Sequence, residues 1–302
     1  MPVAIITGAS KGLGRALASA LAARGWDLVV DARSAGPLED AARELRGAGA
    51  RVVALPGDVT DGGHRAALVA AAGELGGLDL LVNNASVLGA EPLVPLADHP
   101  LAGLRAALEA NVVAPLGLTQ ETLPLLRISS YLSSYEGVAP FIGNDPYTGD
   151  AGNAMRYDPH PYIGNARNAG TSDSPPYVEV EDGPKGAKRT SVPAGGAILN
   201  ISSDAAVEAY PTWGGYGSAK AALDQQSAVL AQEERGLRVW WVDPGDMRTD
   251  LYAAAVPDDD ASGRPLPGTV VPGLLGLLDD RAPSGRYRVA AGVATPDGAG
   301  SR

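Results

Sequence analysis

The chain predicts an α/β fold built on a doubly wound parallel sheet, and three observations predict it. Short apolar runs alternate with amphipathic stretches, the pattern of repeated strand-helix units. A glycine-rich turn, Thr7-Gly8-Ala9-Ser10-Lys11-Gly12-Leu13-Gly14, joins the first apolar run to the first amphipathic stretch. The 302 residues, 45% of them hydrophobic, suffice for one large core, and α/β chains of this size often form a single domain.

In chain order, strands are expected at residues 3–7, 27–31, 51–55, 78–82, 197–201, 238–242 and 286–290. The first helix is expected from Gly12 to Arg24, because Leu13, Leu17 and Leu21 recur every four residues and lay one apolar stripe on the sheet. Further helices are expected over 37–48, 61–75, 101–126, 214–235 and 272–281. Such a sheet holds its ligand at the carboxyl ends of its strands.

Composition excludes several classes of function. A net charge of −11 speaks against nucleic acid as a partner, since phosphate backbones are bound by basic surfaces. The chain has no cysteine, which removes disulfides, thiolate nucleophiles and Cys-ligated metals and fits a reducing cytoplasm. His64, His99 and His160 lie far apart without ligand spacing, so no metal is expected. No apolar run reaches eighteen residues and no basic leader precedes the first strand, so no membrane segment is expected.

The chemistry-bearing pattern is Tyr216 followed four residues later by Lys220, with Ser203 thirteen positions upstream. On a helix, that offset stacks phenol and ammonium on one face about one turn (~5.4 Å) apart. A neighbouring cation lowers the pKa of a phenol that otherwise titrates near ~10, bringing it toward the range where general acids work. The glycine turn has its own physical reading. Glycines there let the backbone approach a pyrophosphate resting on the helix N-terminus, where free amides and the dipole favour anions.

Together these residues resemble the short-chain dehydrogenase/reductase family, which has a Rossmann-like fold. The turn at residues 7–14, Asp58-Val59, Asn83-Asn84-Ala85, Asn111, Ser203, Tyr216, Lys220 and Pro244-Gly245 with Thr249 fall in the family's order and approximate spacing. The resemblance covers residues 1–126 and 197 to about 250. It implies that Tyr216 gives a proton to a substrate carbonyl oxygen, or removes the hydroxyl proton in the reverse direction, as hydride passes to or from a nicotinamide. Ser203 would steady the same oxygen. Lys220 would lower the phenol pKa and hold the nicotinamide ribose, and Asn111 would anchor a water that relays protons to it. The cofactor would lie along Gly8, Ser10, Lys11, Gly12, Leu13 and Gly14, with Asp58 beside Val59 on its adenine, Asn84 and Ala85 along the crevice, and Pro244, Gly245 and Thr249 at the carboxamide. A carbonyl or alcohol substrate and a homo-oligomer, dimer or tetramer, are also implied. Ser86 stands where the family usually has glycine.

Cofactor choice is argued from charge. Ala32 falls where NAD-preferring members carry an aspartate, and Arg33 follows it. Arg33 and Lys11 supply two cations for a 2′-phosphate, and an arginine fork suits phosphate geometry. Asp31 is the competing signal, and strand alternation turns it away from Ala32's side. NADP is therefore expected over NAD. Lysine usage is a separate sign of chemistry: only Lys11, Lys185, Lys188 and Lys220 occur in the chain, and the first and last, the two outside the insertion, occupy positions that suggest a task arginine cannot do. A non-catalytic dinucleotide sensor that binds a partner is the alternative, although a sensor needs the glycine turn and no tuned phenol.

An irregular insertion, residues 128–196, interrupts the domain. It holds six of the ten tyrosines and the only phenylalanine, Phe141, but a single leucine, Leu132. Two readings stand for it, a poorly ordered excursion and a folded patch contacting a partner or sister subunit. A helix-to-strand connection emerges opposite the catalytic crevice, so the insertion is a poor lid. Residues 251–270, rich in Pro, Gly and Asp, are expected as the substrate flap. Replacing residues 130–193 by a short linker is expected to leave soluble protein that still binds NADPH, measured by fluorescence titration; loss of binding would make the insertion structural.

Overall fold

The computed structural model describes residues 1–133 and 195–297. Its sheet contains β1 (Val3–Ile6), β2 (Asp27–Ala32), β3 (Val52–Pro56), β4 (Leu80–Asn83), β5 (Ala197–Ile201), β6 (Arg238–Asp243), β7 (Gly285–Ala290) and β8 (Val293–Pro296). The spatial order is β3-β2-β1-β4-β5-β6-β7-β8. All pairings are parallel except the last, where β8 runs antiparallel to β7. The order reverses between β1 and β4, and a crevice opens at such a switch point.

Alternation along the strands divides the core in two. Ile6, Val30, Val82, Leu199 and Val242 point to one face, where they meet Leu13, Leu17 and Leu21 of α1 (Gly12–Ala23), Leu38 and Leu45 of α2 (Ala35–Gly47), and Leu274 and Leu277 of α8 (Val271–Asp279). Ile5, Val29, Leu81, Ile198 and Val239 point to the other, against Leu68 of α3 (Gly62–Leu75) and Leu118 and Leu126 of α5 (Ala114–Ser133). Strands covered on both sides need apolar residues at both parities, which is why these runs are nearly unbroken. The expected stripe of α1 is buried as its spacing requires.

Four differences from the sequence-based expectation have physical reasons. The helix expected over 101–126 is α4 (Leu101–Leu108), a π-helical turn at Glu109–Val113, and α5. The Ala114 amide reaches back to the Glu109 carbonyl, inserting an extra residue in the turn that carries Asn111. The helix also continues to Ser133, so residues 128–133 belong to α5; of the insertion, residues 134–194 lie outside the described residues. The segment expected as a flap contains most of a short helix, α7 (Asp250–Ala255), which starts on the Thr249 side-chain cap. Strand β8 is short and largely exposed, so it lacks the apolar run that betrays the others.

The span Leu101–Ser129 contains an eighteen-residue window of mean hydropathy 1.2, long and apolar enough by composition to cross a membrane. A third of that window is buried inside the protein, and Val112, Leu118 and Leu126 of this span join the core clusters. Among the described residues the largest fully buried side chain is Trp240, whose indole donates to the Ala282 carbonyl at 3.0 Å. Trp240→Ala is expected to cost about 3–5 kcal/mol, measured by urea unfolding; a loss under about 1 kcal/mol would contradict its place in the core.

Candidate active site

The carboxyl ends of β1, β2, β4, β5 and β6 meet at one cavity of 930 Å³. At one end, the glycine turn between β1 and α1 forms its wall. Gly8 has φ +66°, and a Cβ on it would sit 3.0 Å from the Ala85 Cα. A Cβ on Gly14 would meet the Asn84 Nδ2 at 2.5 Å and the Gly8 carbonyl oxygen at 2.6 Å. Both positions therefore exclude a side chain. Helix α1 opens with Lys11 at its N-cap and no side-chain cap bond, so its first amides stay available to an anion. Ser10, Lys11, Gly12 and Leu13 line the same wall.

The wall is held by a clamp from β4. The Thr7 hydroxyl accepts from the amides of Asn84 and Ala85 at 2.9 and 3.0 Å. The Asn84 carboxamide donates to the carbonyls of Thr7 and Gly8 at 2.8 and 3.2 Å. Asn84 and Ala85 thus line the cavity and brace the turn at once.

At the end of β2, Asp31, Ala32 and Arg33 all line the cavity, so strand alternation does not remove Asp31 from it as expected. Arg33 is exposed, and among the described residues no carboxylate lies within salt-bridge distance of it. Asp31 is 1% exposed, and its two oxygens are taken by the Gly8 amide at 2.8 Å and the His64 Nε2 at 3.0 Å. Its carboxylate belongs to the turn, an engagement the sequence does not announce. Lys11 is 2.7 Å from Asp250 of α7, so the ammonium bridges the cavity to the flap. Asp58 and Val59 line the adjoining wall. The Thr60 amide and hydroxyl, with Arg33 nearby, hold the Asp58 carboxyl below the usual carboxylate range against the effect of burial.

At the other end, α6 (Gly214–Glu233) presents Tyr216 and Lys220 to the cavity. The Lys220 Nζ lies 5.5 Å from the Tyr216 ring centroid and donates to the Ile201 carbonyl at 2.7 Å. Trp213 packs edge-on against Tyr216 at 5.7 Å between centroids. Ser203 lines the cavity, and its hydroxyl donates to Asp204 at 3.0 Å while accepting from the Ala205 amide at 3.2 Å.

Electrostatics correct one expectation. Burial pushes the Tyr216 phenol up, Asp204 and Asp243 push the same way, and a hydrogen bond with Ser86 opposes them. The net shift is upward although the Lys220 ammonium lies beside the ring, so the cation does not bring the phenol toward neutrality as its spacing suggests. Burial instead brings Lys220 itself down to about 8, with Asp224 opposing. Desolvation of both groups outweighs their mutual influence.

Asn111 does not line the cavity among the residues that do. It is 1% exposed, and its carboxamide exchanges two bonds of 2.9 Å with the backbone of Val87 and accepts from Ser86 at 3.2 Å. Ser86, standing in the glycine position, therefore touches both the phenol and Asn111. Pro244, Gly245 and Thr249 complete the wall below the flap. The Gly245 amide is held by Asp243 at 2.9 Å, and the Thr249 hydroxyl accepts from the Tyr252 amide at 3.2 Å as cap of α7. Within the segment 251–270, Arg264 pairs with Asp246 and Asp259 at 2.7 and 3.0 Å and covers the Tyr252 ring at 4.7 Å. The run Asp258–Asp260 is thus more than a solvated surface stretch: Asp259 pairs with Arg264, and Asp260 caps the turn at 261–263.

The chain matches the short chain dehydrogenase family over residues 2–149 and 189–260. It belongs to that family. A cis-4-hydroxycyclohexanecarboxylate dehydrogenase of Sinomonas cyclohexanicum is 43% identical over 111 residues, 36% of this chain and 43% of that protein. A 1-deoxy-11-beta-hydroxypentalenate dehydrogenase of Streptomyces avermitilis is 35% identical over 143 residues, 46% of this chain and 53% of that protein. The matches thus span about half or less of these relatives' length. The fold resembles an alcohol dehydrogenase of Thermococcus sibiricus solved with 5-hydroxy-NADP, at TM-score 0.68 and 20% identity, covering 98% of this chain and 99% of the other. It also resembles a short chain dehydrogenase of Escherichia coli solved with NADPH, at TM-score 0.68 and 22% identity, covering 96% of each.

Two predictions follow from this geometry. Gly14→Ala is expected to displace Asn84 and weaken dinucleotide binding at least tenfold, measured by fluorescence titration. Because Lys220 titrates near 8 in the fold and near 10.5 when unfolded, the folded state binds fewer protons between those values, and stability from this group rises with pH across that window and is lost as pH falls through 8. Relative to Lys220→Met, the wild type is expected to gain about 3 kcal/mol between pH 8 and 10.5, measured by urea unfolding.

Proposed function

We propose that the chain is a nicotinamide-dinucleotide-dependent oxidoreductase that reduces a ketone or aldehyde, and oxidises the alcohol in reverse, with NADPH as its preferred cofactor. One observation carries the reading: the uncapped, glycine-lined start of α1 and the Tyr216-Lys220-Ser203 set open on the same cavity. A phosphate-bearing cofactor fits the first, because the start of α1 has no side-chain cap and its free amides favour an anion, while Gly8 and Gly14 let the turn pack tightly on Asn84 and Ala85. When bound, the dinucleotide supplies or takes the hydride.

The protein's own groups do the rest. Tyr216, protonated by virtue of its burial, is the acid that donates to the substrate oxygen, and Ser203 is the second donor to that oxygen. Lys220, near 8, is largely an ammonium at neutral pH and supplies positive charge beside the phenol as the proton leaves. Asn111 supports the Ser86-Val87 backbone and the cofactor-facing stretch that precedes it. Arg33, exposed and without an ion-pair partner among the described residues, favours the 2′-phosphate, and Asp31 is occupied by Gly8 and His64. The NADP and NADPH of the similar solved structures support the same choice.

With a panel of carbonyl compounds, NADPH is expected to be consumed in preference to NADH, and Tyr216→Phe is expected to lower kcat by about 10²- to 10⁴-fold with NADPH affinity unchanged. Arg33→Ala is expected to raise KM for NADPH at least tenfold and leave KM for NADH within twofold. Absence of turnover with both cofactors, in wild type and Tyr216→Phe alike, would favour the dinucleotide sensor.

A further inference from the structure

Three consecutive residues at the end of β5 are gripped one after another by a buried chain of charges. The Ile201 carbonyl accepts from the Lys220 Nζ at 2.7 Å. The Ser202 hydroxyl, on a residue 2% exposed, donates to Asp224. The Ser203 carbonyl accepts from the Arg286 Nη2 at 2.8 Å. The chain closes through the ion pair between Arg286 Nε and Asp224 Oδ2 at 2.9 Å. Tyr216, Lys220 and Asp224 recur every four residues on α6, so phenol, ammonium and carboxylate share one helix face, and Arg286 reaches that face from β7.

We propose that Asp224 and Arg286 are positioning residues of the active site: their ion pair fixes the backbone that carries Ser203, and the Asp224 carboxylate keeps the buried Lys220 charged. The proposal rests on the oxidoreductase reading for its catalytic consequence, but the charge coupling itself is independent of turnover. A buried ammonium without a counter-charge sheds its proton, and Asp224 is the acid on α6 that opposes this for Lys220. The other charged groups around the site are committed elsewhere. Asp243 on β6 pairs with Arg288 at 3.0 Å, Asp204 receives the Ser203 and Tyr210 hydroxyls, and Arg286 Nη1 faces Asp297. A guanidinium is suited to its double task, because its fixed fork reaches a carboxylate and a carbonyl at the same time.

The test exploits a chain with only four lysines. In protein labelled with ¹⁵N-lysine, the Lys220 ammonium resonance is assigned by its loss in Lys220→Arg and titrated by NMR in wild type, Asp224→Asn, Asp224→Glu and Arg286→Gln. Asp224→Asn is expected to lower the Lys220 midpoint by about one pH unit or more, Asp224→Glu to leave it within about 0.3, and Arg286→Gln, which removes a neighbouring cation, to leave it at or above the wild-type value. An unmoved midpoint in Asp224→Asn, equal shifts in the Asn and Glu variants, or a fall in Arg286→Gln would overturn the coupling. Should Asp224→Asn yield no soluble protein, Asp224→Ser is titrated in its place, with the same fall expected and an unmoved midpoint overturning the coupling.

The positioning role is read from kinetics. Arg286→Lys keeps the charge but loses the fork, and is expected to reduce kcat at least tenfold with the alkaline limb of the pH-rate profile in place, whereas in Asp224→Asn that limb moves to lower pH with the NMR midpoint. A wild-type kcat in Arg286→Lys would overturn the role in placing Ser203. If no carbonyl compound is turned over by the wild type, the oxidoreductase reading fails while the titration still decides the coupling.

Discussion

The hydroxyl of Thr7 is the contact on which the site depends. It stands where β1 ends, accepts from two consecutive amides beyond β4, and donates to the Val82 carbonyl at 3.3 Å. Adjacent parallel strands diverge at a switch point, and without a cross-link the resulting crevice has no reason to keep a fixed width. Thr7 supplies that link with one oxygen, and the Asn84 carboxamide doubles it. Substituting either residue leaves buried amides or carbonyls unpaired, a loss of about 1–3 kcal/mol for each such group.

The two ends of the cavity use opposite electrostatic devices. At the glycine turn, charge is exposed and supplied by backbone amides, Lys11 and Arg33, where solvent keeps any single interaction small. At the Tyr216 end, charge is buried and sparse, so each group alters the protonation of its neighbours. On the proposed reading, that contrast separates binding from proton transfer within one crevice. The first task tolerates water and mobile side chains; the second needs both excluded, and Trp213 packed on Tyr216 contributes to that exclusion.

Most of the architecture was legible because parallel strands buried on both faces write nearly continuous apolar runs. Strand β5, Ala197–Ile201, fell where its run placed it. β8 was not legible, since an exposed antiparallel edge strand of four residues carries no such signal. Nor was α7, whose start is set by a Thr249 cap amid Pro, Gly and Asp. The split at Glu109–Val113 leaves the apolar periodicity almost untouched, because a π turn adds one residue without removing the stripe. In the site, residues bound to local motifs were readable. The Asp31-His64 and Asp224-Arg286 contacts were not, because they join positions 33 and 62 residues apart, and the sequence holds no spacing rule for such pairs. The sign of the Tyr216 shift was also missed, since a four-residue offset reports proximity and says nothing of how dry the surroundings are.

The bond between Lys11 and Asp250 ties the N-cap of α1 to the first residue of α7. Both partners are mostly exposed, at 67% and 74%, so the tether is worth well under about 1 kcal/mol and yields readily to a better anion. On the reading proposed above, a cofactor phosphate at the start of α1 competes with Asp250 for the Lys11 ammonium, so the first turn of α7 is where its arrival would be felt.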